Sequence, residues 1–186
     1  LRKQRIERFG VFDLGVHEPP LIGAGLGLVE LSRVLVEVGR RVAPVPLATH
    51  GAVALLLAEH ADGVQQDRWL PGAADGTTVL AAAVSEERSH LPSRPVVRAE
   101  PEGEGWVLSG TKVMVRAGGA AAAYVVSAST DQGLGLFLVE AGATGLRSAP
   151  GRTSDGDEVA QLDLDRAPAQ AVGTPGDDAA TRLGRL

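Results

Sequence analysis

Residues 102–127 limit the possible folds of this chain more than any other stretch. Apolar segments at residues 106–108 and 112–115 flank the dipeptide Ser109-Gly110, a combination typical of a tight turn between two strands. After a second break, residues 124–126 begin another segment that favours a strand. Because consecutive strands joined by short turns pair with each other, the stretch predicts an antiparallel meander.

The residues before this sheet carry the periodicity of helices. Within residues 28–41, apolar side chains recur at spacings of three and four, which predicts an amphipathic helix. Residues 47–60 are apolar almost all round and predict a buried helix. A short third helix is expected at residues 64–70, closed by Pro71-Gly72.

Further strands are predicted on both sides of the meander. Residues 77–84 are β-branched and apolar enough for a first strand, and residues 86–95 carry charges and prolines typical of a loop. Residues 135–140 predict another strand, and alternation at residues 160–164 predicts a half-exposed one. Loops are expected at residues 130–133, 141–145 and 151–157.

We therefore expect an α+β fold, with an amino-terminal α-helical segment followed by a small antiparallel β-barrel or sandwich domain. The expected divisions are residues 1–76 for part of a helical domain, 77–175 for the β-domain, and 176–186 for the start of a further helical domain. The chain has no initiating methionine and ends as a helix begins, so we expect it to be part of a longer protein.

Composition excludes several classes of function. The formal charge is −5 and no window concentrates basic residues, which argues against a nucleic-acid partner. Without cysteine, the chain has no disulfides, thiolate metal sites or cysteine nucleophiles. Since no segment has the length and apolarity of a membrane span or a signal peptide, we expect a cytoplasmic protein that does not contact a membrane.

Several segments together resemble the acyl-CoA dehydrogenase family. Its members carry a Gly-Trp-x-Leu-x-Gly-x-Lys motif at the start of their middle β-domain, and this sequence has that motif from Gly105 to Lys112. Residues 26–31 and 37–46 are similar to the amino-terminal helical domain of actinobacterial members, and residues 69–76 resemble the family's lead-in to the first strand. The order and spacing of these matches carry the resemblance over nearly the whole chain.

The resemblance implies a flavoprotein that oxidises acyl-CoA thioesters at the α,β carbons, in fatty acid or steroid side-chain degradation. FAD is the implied cofactor, an electron-transfer flavoprotein is an implied partner, and a homo- or hetero-oligomer is the implied assembly. The family's catalytic base is a glutamate in the carboxy-terminal helical domain, which this chain does not contain. No residue here is therefore assigned a catalytic role.

The implied cofactor-binding positions are Val84, Ser85, Met114 and Arg116. In the family, the first strand runs into Thr-Glu-Pro-x-x-Gly-Ser beside the flavin, whereas the matching run here starts at Ser85 and loses the proline and the glycine. The family's third strand has Trp-x-Thr against the flavin, and this sequence has Met114 and Arg116 in those places.

Two interpretations of this pocket remain open. Methionine packs well against rings, but a buried guanidinium needs an anionic partner. With Arg88 and His90 expected at the same rim, the flavin site is either altered or empty, or else Arg116 turns outward and flavin binds through backbone contacts. The first corresponds to a structural subunit beside a competent one and the second to a competent dehydrogenase with a divergent pocket, while a non-catalytic scaffold module is a third possible function.

Other candidate sites are weak. Residues 23–27 fall one glycine short of a dinucleotide-binding motif and follow no predicted strand. The histidines lack metal-ligand spacing, and Asp155, Asp157 and Glu158 lack the ligand series of a calcium loop. We expect no metal site and no nucleophilic serine.

Overall fold

The computed structural model describes residues 28–43, 45–87, 93–154 and 156–177. Within them, three helices precede seven strands. The helices are α1 Leu28–Arg40, α2 Leu47–His60 and α3 Gly63–Asp75. The strands are β1 Leu80–Ala83, β2 Arg98–Glu102, β3 Gly105–Arg116, β4 Ala123–Thr130, β5 Gly133–Glu140, β6 Leu146–Arg152 and β7 Glu158–Ala171. None of the helices in these ranges is both long and apolar enough to span a membrane.

The predicted end of the third helix at Pro71 is wrong. The helix begins with a capping box, in which the Asp62 carboxylate accepts the Gln65 N–H at 2.8 Å, and it continues to Asp75. Proline removes only one helical hydrogen bond, and the buried Leu70 and Ala73 hold the helix in place on both sides of it. Gly76, with φ of 76°, provides the left-handed residue that ends the helix.

Five strands close into a barrel. The ring runs β4, β2, β3, β7, β5 and back to β4, while β1 extends it beside β4 and β6 pairs with β7. The predicted α+β class is therefore confirmed. The sheet is mixed, because β1 and β2 both pair with β4 in parallel.

The predicted turn at Ser109-Gly110 is wrong, and so is the meander built on it. The hairpin turn lies at residues 103–104, between the paired Glu102 and Gly105, and β3 then runs without interruption through Gly110. Gly110 has φ of 135°, and a Cβ there would lie 2.9 Å from Val97 Cγ2. Glycine is thus required by an irregular, crowded strand rather than by a turn.

Other strand predictions differ mainly in extent. β1 is shorter than the predicted 77–84, and β7 is far longer than the predicted 160–164. β2 and β6 were not predicted, and β6 includes the first two residues of the expected loop at 151–157. Strand β4 lies beside β1, β2 and β5, not beside β3. These errors share a cause, since pairing partners far along the chain decide where a strand ends.

Two apolar clusters form the core on the two sides of the barrel wall. The barrel-interior cluster includes Leu108, Tyr124, Phe137 and Leu162. The helix-facing cluster lies between the barrel and helices α2 and α3, and it contains Val53, Leu57, Trp69, Leu80, Val125 and Leu138. Adjacent residues of β4 alternate between the two, as a strand covered on both faces requires.

Candidate flavin-facing site

The exit of β1 lies directly against the second half of β3. Opposite β7, two residues of β3, Val113 and Met114, face the single residue Gln161, forming a β-bulge with one extra residue. The Val113 N–H donates instead to the Ser85 carbonyl oxygen at 3.0 Å. Ser85 therefore contacts Val113, the residue that precedes Met114.

The bulge also exposes the methionine. Met114 has φ of 55° and is 56% exposed, whereas Val84 is partly buried against the helix-facing cluster. The backbone of Val84 and Ser85 and the thioether side chain of Met114 thus share one edge of the barrel. Three of the four predicted cofactor-binding positions lie together.

The fourth position, Arg116, makes its ion pair elsewhere. Its guanidinium contacts the Asp157 carboxylate, in the turn that precedes β7, and the two side chains are 58% and 38% exposed. The charge of Arg116 is therefore neutralised by a carboxylate at the carboxyl end of β3. Arg88 and His90, expected at the same rim, lie outside the described residues, as do residues 23–27, His17 and Asp155.

A buried ion pair between Lys112 and Glu86 lies beneath this edge of the barrel. Lys112 Nζ donates to Glu86 Oε1 at 2.7 Å and to Ser127 Oγ at 2.9 Å. The exposed fractions are 0% for the Lys112 side chain and 5% for that of Glu86. Because a buried charge is tolerated only when it is paired, each of these groups depends on the other.

Glu86 also binds the backbone of the two residues that precede β2. Its Oε2 accepts the Val96 N–H at 2.6 Å and its Oε1 accepts the Val97 N–H at 3.1 Å. One carboxylate therefore ties the β1 exit, the start of β2 and the inner face of β3 together. We call Glu86, Lys112 and Ser127 the carboxylate clamp.

Burial and hydrogen bonding have opposing effects on the pKa values of the clamp. Burial favours the neutral carboxyl, but the hydrogen bonds from Lys112, Val96 and Val97 outweigh it and hold the pKa of Glu86 below its ordinary value. Burial lowers the pKa of Lys112, and the adjacent Glu86 carboxylate offsets part of that effect.

The clamp was not predicted from the sequence. A signal was present, because Lys112 follows the inward-facing Leu108 by four positions in a strand whose inner face is otherwise apolar. Such a lysine requires a buried carboxylate, and Glu86 is the second residue of the run that matches the family's loop motif. No rule of spacing links residues 26 positions apart, so the pairing itself needed the fold.

Comparison with known proteins identifies the architecture, although no family model matches the chain. The chain is 37% identical to the acyl-CoA dehydrogenase FadE28 of Mycobacterium tuberculosis over 178 residues, covering 95% of this chain and 50% of FadE28. It superposes on a variant of the steroid ACAD Tcur3481-Tcur3483 with a TM-score of 0.82 and 43% identity, covering 88% of this chain and 44% of that one. This chain belongs to the acyl-CoA dehydrogenase family.

A third relative is the ChsE4-ChsE5 complex from Mycobacterium tuberculosis. Its matched chain has a TM-score of 0.77 and 32% identity, with coverage of 87% of this chain and 44% of that chain. This acyl-CoA dehydrogenase-family chain spans about half the length of the relatives that it matches.

The edge resembles the family's flavin-facing motif at some positions and differs from it at others. The exposed thioether of Met114 suits contact with a ring, and the Ser85 segment can approach one through its backbone. The end of β3, however, presents an ion pair where the family motif has a hydroxyl. A fully charged guanidinium cannot take the role of a hydroxyl that both donates and accepts. The end of β3 therefore differs in chemistry from the family motif at this position.

Among the described residues, the other candidate sites from the sequence do not form a metal-binding or catalytic cluster. His50 and His60 lie on α2, where His60 contacts Glu59. Asp157 is the partner of Arg116 and Glu158 that of Arg152. In the ranges that the structure describes, no group of three potential metal ligands occurs.

Proposed function

We propose that this chain is the helical and β portion of an acyl-CoA dehydrogenase-like subunit with an altered flavin site, acting as the structural partner of a flavin-competent subunit. The ion pair between Arg116 and Asp157 carries the proposal. It occupies the position where the family motif brings a hydroxyl to the flavin.

The energetics of this ion pair oppose a ring at the same place. A flavin laid over the end of β3 would desolvate the guanidinium and its carboxylate, which are both partly exposed to water. Removing charges from water costs several kcal/mol per ion unless further hydrogen bonds replace the solvent. The ring offers an edge of donors and acceptors but no anion. Selection for tight flavin binding would therefore not retain an arginine here.

The relatives support a mixed assembly. Two of the solved structures similar to this chain are named as pairs of different components, Tcur3481-Tcur3483 and ChsE4-ChsE5. A subunit without its own flavin has a role in such a pair, because its fold can complete the partner's site. We extend this arrangement to the present chain, with an acyl-CoA thioester as substrate, an electron-transfer flavoprotein as acceptor and a cytoplasmic location.

A second candidate function is a flavin-binding dehydrogenase with a divergent pocket. The exposed Met114 beside Ser85 favours it, since these residues leave an apolar and polar surface at the expected edge. Arg116 is already engaged by Asp157 and could remain so while flavin binds through backbone contacts.

Flavin content separates the two functions. The full-length protein is purified alone and after co-expression with the product of the neighbouring gene, and flavin absorbance is compared with protein concentration. The structural-partner function predicts flavin only in the co-expressed complex, with bleaching on addition of an acyl-CoA. Stoichiometric flavin in the lone subunit would support the second function. A complex that never bleaches across a broad thioester panel would favour a scaffold module instead.

A pair of variants tests the role of the ion pair. Arg116→Thr restores the hydroxyl of the family motif and should raise the affinity of the lone subunit for FAD, measured by quenching of flavin fluorescence. Arg152→Thr is the matched control, because Arg152 makes a similar exposed ion pair with Glu158 at 3.1 Å. Equal FAD affinities of the two variants would show that Arg116 does not govern the site.

A further inference from the structure

A buried histidine connects the helices to the first strand. His50 lies in the first turn of α2, 9% exposed, and its Nδ1 is 3.1 Å from the backbone nitrogen of Leu80, the first residue of β1. Its Nε2 is 3.1 Å from the Ala73 carbonyl oxygen in the last turn of α3. One imidazole therefore contacts α2, α3 and β1.

The partners fix the protonation state of the ring. A backbone N–H can only donate, so Nδ1 must accept from Leu80 and carries no proton. The carbonyl oxygen of Ala73 can only accept, so Nε2 must carry the proton. The geometry requires the neutral, Nε2-protonated tautomer. A proton added at Nδ1 would oppose the Leu80 N–H and break that hydrogen bond.

We propose that His50 is a positioning residue whose neutral ring fixes the start of β1 to the helices, and that protonation of the ring releases that end of the strand. The consequence reaches the candidate site, since β1 is only four residues long and leads directly to Val84 and Ser85. The inference stands apart from the proposed function, because it holds whether or not flavin binds.

The charged groups on the surrounding elements contact other partners or are exposed to solvent. On α2, Glu59 pairs with His60, and on α3, Arg68 pairs with Glu140 of β5. The other groups are Asp75, whose carboxylate accepts from Thr77, the exposed Asp67, and Tyr124 of β4, whose hydroxyl donates to the Gly118 carbonyl oxygen. Strand β1 has no ionisable side chain.

The direction of the pH effect follows from this setting. Burial lowers the pKa of His50, and the hydrogen bond to Ala73 offsets only part of that effect. A histidine with a depressed pKa in the folded state stabilises the fold fully above the ordinary value of 6.5. That contribution is lost as the pH falls through the folded-state pKa. The start of β1 should therefore loosen in mild acid before the rest of the barrel does.

Hydrogen exchange on the full-length protein tests this order. Protection of the peptide covering residues 77–84 is measured near neutral pH and at about pH 5, relative to the β4–β5 hairpin in the same sample. In the wild type, this relative protection should fall on the order of tenfold, as expected for the loss of one buried hydrogen bond. Unchanged relative protection in acid would overturn the proposal.

Two variants make the test specific. His50→Gln places an amide that can accept from Leu80 and donate to Ala73 but cannot titrate, so its relative protection should not depend on pH. His60→Gln removes the other histidine of α2 and should leave the wild-type pH dependence intact. A fall in His50→Gln equal to that of the wild type, or loss of the fall in His60→Gln, would contradict the assignment.

A measurement on the wild type covers the case in which His50→Gln does not fold. Nitrogen NMR of ¹⁵N-histidine-labelled protein reports the tautomer of each ring, and the His50 signals are assigned by their proximity to the Leu80 N–H. We expect one neutral ring protonated at Nε2 near neutral pH. A His50 ring that is charged, or protonated at Nδ1, would overturn the proposal.

Discussion

The two ends of β1 are held by polar groups of opposite character. Its first residue is tied to the helices by the neutral ring of His50, and its exit is tied to the barrel by the charged carboxylate of Glu86. Both groups are buried, yet only the second brings its own counter-charge, Lys112. A short strand such as β1 can therefore be held at both ends by side chains as well as by its partner strand. The type of side chain then determines the pH at which each end loses its hydrogen bonds.

The largest expected effect comes from breaking the charged end. Lys112→Met should destabilise the full-length protein by about 3–5 kcal/mol, because it leaves the Glu86 carboxylate buried without a cation. Urea unfolding measures the loss. The matched control is the double variant Lys112→Met with Glu86→Gln, which removes both charges and should recover a large part of the stability. If the double variant is no more stable than the single one, the charge pair does not explain the effect.

A smaller effect is expected from crowding the strand beside the clamp. Gly110→Ala should cost about 1–3 kcal/mol, since alanine is strained at a positive φ. The added Cβ would also lie 2.9 Å from Cγ2 of Val97, whose amide donates to Glu86. Gly142→Ala is the control, because no heavy atom lies within 4 Å of a Cβ at that position. Equal unfolding midpoints for the two variants would contradict the crowding.

The smallest expected effect is a difference in the pH at which the two ends of β1 lose their contributions to stability. The folded-state pKa of Glu86 is depressed, so the stability that it contributes is complete above the ordinary value of 4.5 and is lost as the pH falls through the folded-state pKa. The wild type should therefore lose more stability than the double variant over that acid range. The loss from His50 begins at a higher pH. Parallel pH profiles for wild type and double variant would argue against a titrating clamp.

Local patterns predicted the elements that depend on local chemistry. Helix α2 was predicted with its observed bounds, because its residues are apolar all round and Pro46 precedes it. The amphipathic pattern that begins at Leu28 likewise predicted α1 to within one residue of its end at Arg40. In each case the pattern repeats over several turns, so it determines the helix without a distant partner.

The errors in the predicted elements arose at residues that are compatible with two different local structures. Glycine at 110 suits either a turn or a bulge, and only the approach of Val97 distinguishes them. Proline at 71 ends many helices, but here buried residues on both sides hold the helix together. The candidate site depends on pairs that are distant in sequence. Arg116 and Asp157 are 41 residues apart, and His50 and Leu80 are 30 apart, so no local pattern could join them.

The central functional claim is that an ion pair at the end of β3 has replaced the flavin-facing hydroxyl. Its most direct test is an equilibrium titration of the lone full-length subunit with FAD, followed by flavin fluorescence. If the ion pair excludes flavin, the wild-type subunit on its own shows no saturable binding. Saturation at one flavin per subunit, with the ion pair between Arg116 and Asp157 intact in a structure of that complex, would contradict it.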